Sequence, residues 1–532
     1  MTERSATVAA DPALTDGQHL ARGAAANAVI LVAANFRAIF TFLIARVLGA
    51  AAFGRFGVAF ATTELLSKAG MLGFDSSVVP MVAAQAADGD GDGCRRVFRR
   101  ALIAGAGASA LLAAIVFGLI VAATEITAGS LVGFLGAFAN GGAVMVWALP
   151  GIAAMRIATG AARGVLSMRN EFYSRGVTET WVTIGVFLAA IAIGLRDRAP
   201  ALAVVAGTSA GAVVAVALAR RSLAAIPVRA PADSAGVTTL HRAAASTGTM
   251  LAYSLPTAGS SLLNVLVTEA DVLLLAFYVG RAPGVTPETF GVFAAAAQIA
   301  VGLRKVRQIF DPIFAPVVAT RSISEHRERL RDTVAGPGRW VLAAQLPLVG
   351  ALVLSGGAVM SIYGREYAQG GVWLALLAVA HGSNTFAGLV ETLLMIERPG
   401  LNLINAVVTV AIQVVAGIVL IPVFGVTGAA IAMCLGFASQ GVLRFAELRH
   451  VYGWSWPWRT LRRPTVAFMA AFVPALGLRL LTASTGSTGE IASGLLFLVL
   501  YALIWRVVGA EPDDREIWRL LRAGRTSVSS DR

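Results

Sequence analysis

The sequence predicts an all-α protein that crosses a membrane many times, and three observations support this prediction. Hydrophobic residues make up 57% of the 532 residues, and the mean hydropathy is +0.74. Charged residues reach only 14%, against about 25% in an average soluble domain. Apolar stretches recur along the whole length rather than at a single site. We therefore expect a polytopic membrane protein with no separate soluble domain.

About fourteen membrane-spanning helices fit the chain. A run of about 20 apolar residues crosses a hydrocarbon core about 30 Å thick, because an α-helix rises about 1.5 Å per residue. The second, seventh and eighth runs are unusually long and contain charges. The predicted spans are 24–47, 54–84, 101–123, 139–162, 176–195, 200–219, 249–279, 288–316, 339–362, 370–395, 401–421, 425–446, 464–482 and 490–508.

The basic residues indicate the orientation of these spans. Arginines crowd the connections after even-numbered helices, near 95–100, 163–175, 220–242, 321–339 and 444–463, whereas the other side has only five. Because basic residues favour the cytosolic side, both termini are expected in the cytosol. The first twenty residues also lack the features of a signal peptide. The external connections are short, so we expect no external catalytic domain.

The net charge and the cysteines indicate neither nucleic acid binding nor a metal site. A charge of +13 would suggest nucleic acid binding in a soluble protein, but here the basic residues are interpreted as topology signals. The two cysteines, Cys94 and Cys434, lie far apart, so neither a disulfide framework nor a metal site is indicated. We expect no cofactor, no bound metal and no nucleic acid partner.

An internal repeat relates the two halves of the chain. The segment FGRF at 53–56 recurs as FGVF at 290–293, and the same offset of 237 residues places Lys68 on Lys305, the only two lysines. Six helices then repeat in parallel orientation, which predicts two six-helix lobes and two additional helices. Transporters built from paired repeats place their substrate between the halves. The predicted units are residues 1–240, 241–450 and 451–532.

Three segments resemble a known family of transporters. They read ARVLGAAAFGRFGVAF at 45–60, DVLLLAFYVG at 271–280 followed by FGVFAAAAQIA at 290–300, and FAPVVATRSISEHRERLRDTVAG at 314–336. They are similar to the polysaccharide flippases of the multidrug/oligosaccharidyl-lipid/polysaccharide exporter superfamily. The resemblance implies two lobes around a central cavity that opens alternately to each side of the membrane.

The resemblance also implies a substrate and a setting. The substrate would be an undecaprenyl-diphosphate-linked oligosaccharide, moved from the cytosolic to the external leaflet of a bacterial inner membrane. A polysaccharide polymerase or glycosyltransferases would be the protein partners.

Ionisable residues in the middle of predicted spans are the first candidates for functional residues, since buried charge is costly in a membrane. Arg37 in helix 1 lies near the same depth as Glu269 and Asp271 in helix 7, so we expect Arg37 to pair with one of them. A diphosphate could displace the carboxylates, because arginine suits phosphate oxygens. The freed carboxylates would then take up H⁺ or Na⁺. The alternative is a static salt bridge.

Helices 2 and 8 supply further candidates. Glu64 and Lys68 are four residues apart and share a helix face, which predicts a local ion pair. Alternatively, Glu64 reaches Arg37 and leaves Lys68 for a phosphate. Arg304 and Lys305 lie toward the cytosolic end of helix 8, where they would contact lipid headgroups or capture the substrate diphosphate.

The remaining ionisable residues are secondary candidates. Arg156 in helix 4 and Glu179 in helix 5 fall at similar depths and are predicted to form a packing pair. Asp311 lies in helix 8. Glu391 and His381 lie in helix 10 and are interpreted as buried polar groups.

Three other functions compete with the flippase interpretation. A flippase for the peptidoglycan precursor lipid II would use the same cationic cavity. A cation-coupled multidrug exporter of the same superfamily would favour acidic groups in the first lobe, where Arg37 lies instead. A membrane polymerase or ligase is disfavoured, because the external connections are short and no catalytic motif is present.

Overall fold

The structure, a computed structural model, describes residues 37–128, 141–165, 167, 169–226, 239–304, 306, 327–383, 399–453 and 458–509. Every element assigned in these ranges is helical. In the described residues, ten helices are long and apolar enough to cross a membrane, and each overlaps a span predicted from the sequence. The all-α membrane class is therefore confirmed.

The helices fall into two halves and a C-terminal pair. We call residues 37–226 the first half and residues 239–453 the second half. The first half contains α1 (Arg37–Leu48), α2 (Ala50–Gly70), α3 (Phe74–Ala87), α4 (Gly91–Ala128), α5 (Leu149–Gly164), α6 (Thr180–Ala192) and α7 (Ala199–Ala224). The second half contains α8 (Thr247–Phe277), α9 (Pro287–Val301), α10 (Arg327–Ser361), α11 (371–383), α12 (Pro399–Phe424) and α13 (Val426–Tyr452), and the pair is α14 (Trp458–Leu481) and α15 (Ser487–Ile504).

Shorter helical segments lead into several of these helices. A π-helical stretch, Phe172–Glu179, continues into α6, and a short helix, Thr239–Ala244, precedes α8. A 3₁₀ segment, Arg365–Gly370, leads into α11.

The second predicted span is interrupted, which corrects the prediction of one helix over 54–84. Helix α2 ends at Gly70 and α3 begins at Phe74. Between them Leu72 has φ of 54° and Gly73 has φ of 79°, a left-handed conformation that stops a right-handed helix. A Cβ on Gly73 would lie 2.2 Å from the carbonyl oxygen of Ser254. The break therefore lies directly against α8.

One apolar core crosses from the first half into the second. It contains Phe40 and Phe53 from the first half together with Phe293 and Phe437 from the second, all almost fully buried. A separate core packs α3, α4, α5 and α7 around residues such as Met81 and also includes Met250 of α8. The halves therefore share buried apolar surface, which stabilises their contact.

The two halves approach each other closely at the N-terminal ends of α2 and α9. A Cβ on Gly54 would lie 3.1 Å from the Cα of Gly291, and one on Gly57 would lie 3.3 Å from the Cβ of Ala294. We call these four residues the glycine seam. The repeat offset of 237 maps Gly54 onto Gly291 and Gly57 onto Ala294, so equivalent positions touch each other. Such self-contact is expected beside an approximate two-fold axis relating two repeats.

The C-terminal pair packs on the second half through α10. Phe497 and Tyr501 of α15 form a small core with Leu354 of α10. The hydroxyl of Tyr501 donates a hydrogen bond to the carbonyl of Ala343, at 3.0 Å. Helices α14 and α15 thus extend the second half.

Candidate functional site: buried charges in the two halves

An ion pair between α2 and α5 lies inside the first half. The Nη2 of Arg156 donates to both carboxylate oxygens of Glu64, at 2.8 and 2.7 Å. The two side chains are 18% and 16% exposed. The sequence predicted Glu179 as the partner of Arg156 and Lys68 as the partner of Glu64. The hydrogen bonds of Arg156 go to Glu64 because α5 crosses α2 at this point, while Glu179 stays within electrostatic range of Arg156.

Lys68 instead bridges the break between α2 and α3. Its Nζ lies 2.6 Å from Oδ2 of Asp75. Lys68 is in the last turn of α2 and Asp75 is in the first turn of α3. Each charge therefore lies at the helix end whose dipole favours it. In this conformation Lys68 is therefore paired, and its predicted role in binding a phosphate stays a prediction.

These residues form one electrostatic cluster. Asp75 and Glu179 both lie within electrostatic range of Arg156, in addition to Glu64. With Lys68, the first-half cluster contains two cations and three carboxylates. Burying such a set is tolerated only when the charges compensate one another. The sequence did not suggest Asp75, because it follows the break that the apolar pattern did not reveal.

A different arrangement occurs in the second half, around Asp271 of α8. Asp271 is 6% exposed, and neither of its carboxylate oxygens has a hydrogen-bond partner among the described residues. One turn earlier on α8, the carbonyl of Val267 accepts a hydrogen bond from Nε2 of Gln413 on α12, at 3.2 Å. Gln413 therefore faces the same side of α8 as Asp271.

Two buried glutamine side chains lie on α12 and α13. Gln413 and Gln440 are both buried, and in the described part of the chain the side-chain oxygen of each has no hydrogen-bond donor. Gly436 of α13 packs on Gln413, where an added Cβ would lie 2.2 Å from its Cγ, and Gln440 follows one turn later. We call Asp271, Gln413 and Gln440, on three neighbouring helices, the second-half oxygen group.

A ladder of polar residues continues along α12. Asn405 donates from Nδ2 to Glu447 of α13 at 2.8 Å, and the hydroxyl of Thr409 donates to the carbonyl of Asn405 at 2.7 Å. Asn405, Thr409 and Gln413 are spaced four residues apart and are all buried. Sequence analysis missed this ladder, although the four-residue spacing of polar residues in an apolar helix was its signal.

The side chain of Arg304 contacts α8. Its Nη1 donates to the hydroxyl of Thr268 at 2.6 Å. Thr268 precedes Glu269, so Arg304 lies beside the carboxylate-bearing stretch of α8.

Several predicted site residues fall outside the described part of the structure. Arg37 is the first residue of α1, but its side chain is not described. Its pairing with Glu269 or Asp271 therefore stays a prediction. Lys305, Asp311 and Glu391 also lie outside the described residues. Among the described residues, no group of three or more His, Cys, Asp or Glu side chains could hold a metal ion.

Solved transporter structures share this fold. An inward-facing multidrug resistance MATE family transporter of the MOP superfamily aligns with a TM-score of 0.60 at 14% identity, over 82% of this chain and 94% of that chain. A MOP superfamily transporter from Pyrococcus furiosus, whose binding pocket is described as having reverse polarity, aligns with a TM-score of 0.62 at 14% identity, over 82% and 96%.

A flippase also shares the fold. The lipid II flippase MurJ in an inward closed conformation aligns with a TM-score of 0.50 at 12% identity, over 85% of this chain and 98% of that chain. Identities this low establish the fold alone. No curated protein sequence matches the chain.

A family model gives the sequence-level assignment. The model described as polysaccharide biosynthesis protein matches residues 20–310, more than half of the 532 residues. The match includes the first-half cluster and both sides of the glycine seam. It confirms the resemblance drawn from the sequence motifs. The chain is a multi-pass membrane protein that belongs to the polysaccharide biosynthesis protein family.

Proposed function

We propose that the protein is a flippase that moves an undecaprenyl-diphosphate-linked oligosaccharide from the cytosolic to the external leaflet of a bacterial inner membrane. Membership in a polysaccharide biosynthesis family supports the sugar part of this substrate. The shared fold with MOP transporters and with a lipid II flippase supports movement of a solute or lipid rather than catalysis. A polysaccharide polymerase or glycosyltransferases would act before or after it.

The glycine seam is the observation on which the mechanism rests. Equivalent positions of two repeats touch at the N-terminal ends of α2 and α9. We infer fourteen membrane-spanning helices in two six-helix lobes, residues 1–240 and 241–450, with residues 451–532 adding two helices. With both termini in the cytosol, the seam lies at the external end. Closing and opening this seam then alternates access to a cavity between the lobes.

The substrate diphosphate is assigned to Arg37, Arg304 and Lys305. Arg304 already contacts Thr268, the residue that precedes Glu269, and Arg37 and Lys305 complete the proposed set. Arginine offers several N–H donors in a geometry that matches phosphate oxygens. Lys68 joins this set only when its bond to Asp75 opens.

Coupling to H⁺ or Na⁺ is assigned to Asp271. A buried carboxylate without a hydrogen-bond partner is costly, and binding of a cation relieves that cost. The oxygens of Gln413 and Gln440 supply further acceptors at the same helix junction. Glu64 and Glu269 are assigned as gating carboxylates, and Glu64 is held by Arg156 in the conformation described here.

A reconstituted assay tests the function directly. Liposomes containing the purified protein would receive either a fluorescent undecaprenyl-diphosphate sugar or a cationic dye, with empty liposomes as the control. We expect the lipid-linked sugar to change leaflet and the dye to stay. Movement of the dye alone would favour a multidrug exporter. A strong preference for lipid II over other lipid-linked sugars would favour the second candidate, a lipid II flippase, which the shared fold with MurJ supports.

A further inference from the structure

A cavity of about 530 Å³ lies between the second half and the C-terminal pair. Its walls come from α10, the Arg365–Gly370 segment and α11, and one end is formed by Arg479 of α14 and Glu490 of α15. The volume falls in the range of small-molecule sites, about 300–1,000 Å³. We call this cavity the α10–α15 groove.

A break in α10 shapes the groove. Ser355 leaves the helical conformation, with φ of −119° and ψ of 24°, and Gly356 and Gly357 follow. Added Cβ atoms on Gly356 and on Gly371 would each lie 2.5 Å from the facing backbone. These glycines therefore let α10 and the start of α11 approach closely, and the groove opens beside that crossing.

The break also fixes the position of Glu490. Its Oε2 accepts a hydrogen bond from the backbone N–H of Ala358, at 2.5 Å. Its Oε1 accepts one from Nη2 of Arg479, at 2.7 Å. Because each carboxylate oxygen has two lone pairs, Glu490 keeps capacity for a further donor. Among the described contacts, Arg479 uses only Nη2, which leaves N–H groups for another acceptor.

The long wall of the groove is apolar and faces outward. Val372 is 64% exposed and Val379 is 49% exposed on α11, and Val353 and Ala375 line the same space. Exposed valines on a helix inside a membrane protein contact hydrocarbon chains. The nine residues from Gly371 to Val379 rise about 12 Å. The groove therefore accepts part of an acyl chain entering from the bilayer.

We propose that the α10–α15 groove binds one phospholipid with a phosphoethanolamine headgroup, its phosphate on Arg479, its ammonium on Glu490 and an acyl chain along Val372 and Val379. A neutral pair of opposite charges complements a zwitterion. A polyprenyl diphosphate fits this end poorly, because its several negative charges would face the Glu490 carboxylate. The bound lipid would join α14 and α15 to the second half.

This proposal is independent of transport activity, so its test uses binding. The full-length protein, purified in detergent, would be titrated with phosphatidylethanolamine, phosphatidylglycerol or undecaprenyl diphosphate, and bound lipid would be counted by native mass spectrometry. We expect phosphatidylethanolamine to be retained most strongly. Arg479→Gln should weaken that binding about tenfold, since one charge-assisted hydrogen bond is lost.

A second variant separates lipid loss from misfolding. Val372→Trp fills the apolar wall without touching the Arg479–Glu490 pair and should also remove the bound lipid. Val473→Trp is the matched control, because Val473 is 65% exposed on α14 and does not line the groove; it should bind lipid as the unmodified protein does. Equal binding of phosphatidylethanolamine to the Val372→Trp and Val473→Trp variants would overturn the proposal, as would stronger Arg479-dependent binding of phosphatidylglycerol or undecaprenyl diphosphate.

Discussion

In the first half Glu64 accepts two hydrogen bonds from Arg156 and Asp75 contacts Lys68, whereas in the second half Asp271 has no hydrogen-bond partner among the described residues. Both regions bury carboxylates within apolar helices. The first compensates them with cations, whereas in the second no described donor reaches Asp271 or the buried side-chain oxygens of Gln413 and Gln440. Paired charges fix the positions of α2, α3 and α5, whereas the proposed function assigns a mobile cation to Asp271. The comparison predicts that substitutions in the first region lower stability and that those in the second alter transport.

The largest loss of stability is expected for Arg156→Ala. Removing one partner of a buried ion pair typically costs about 3–5 kcal/mol, because the other charge is left uncompensated. Thermal unfolding in detergent, followed by the exposure of buried Cys94, measures the change. The double variant Glu64→Gln/Arg156→Gln serves as control and should recover most of the loss. Normal stability of Arg156→Ala would mean that the pair is dispensable.

A smaller loss is expected for Lys68→Met. Oδ1 of Asp75 has no described hydrogen-bond partner, so removal of the lysine leaves both oxygens without one. An unsatisfied buried polar group costs about 1–3 kcal/mol. The same unfolding assay applies, and Lys68→Met/Asp75→Asn is the matched control. If the single variant were as stable as the double variant, the bridge across the α2–α3 break would contribute nothing.

Substitutions in the glycine seam test the contact between the first half and the second half. A Cβ on Gly291 would lie 1.8 Å from the carbonyl oxygen of Ala50, whereas one on Gly118 meets nothing within 4 Å. Overpacking typically costs about 1–3 kcal/mol, so Gly291→Ala should push the seam apart and Gly118→Ala should not. Crosslinking of a cysteine pair introduced at Gly57 and Ala294 measures the separation. Equal crosslinking in both backgrounds would exclude a close seam.

The sequence identified the helices and the buried charges far better than the charge partners. Runs of apolar residues predicted the spans because length and composition suffice for them. The repeat offset made Gly54 and Gly291 equivalent but did not predict that they touch, which depends on how the two repeats pack. The Glu64–Arg156 pair depends on how α5 crosses α2, which the spacing of residues along one helix does not encode. Leu72 gave no warning of the break, because leucine seldom adopts its left-handed conformation.

Asp271→Asn is expected to change stability least and transport most. Asparagine keeps the size of aspartate and removes the charge, so the buried site loses no described hydrogen bond and the protein should unfold as the unmodified protein does. Cation binding should therefore be lost. Movement of the fluorescent lipid-linked sugar should fall toward the rate of empty liposomes, and it should lose its response to a pH or Na⁺ gradient. Gln413→Leu tests the accompanying amide and should weaken that response while leaving Asp271 in place. If Asp271→Asn instead lowered stability as much as Arg156→Ala, the carboxylate would be a structural group like those of the first half, and the contrast between the two regions would fail.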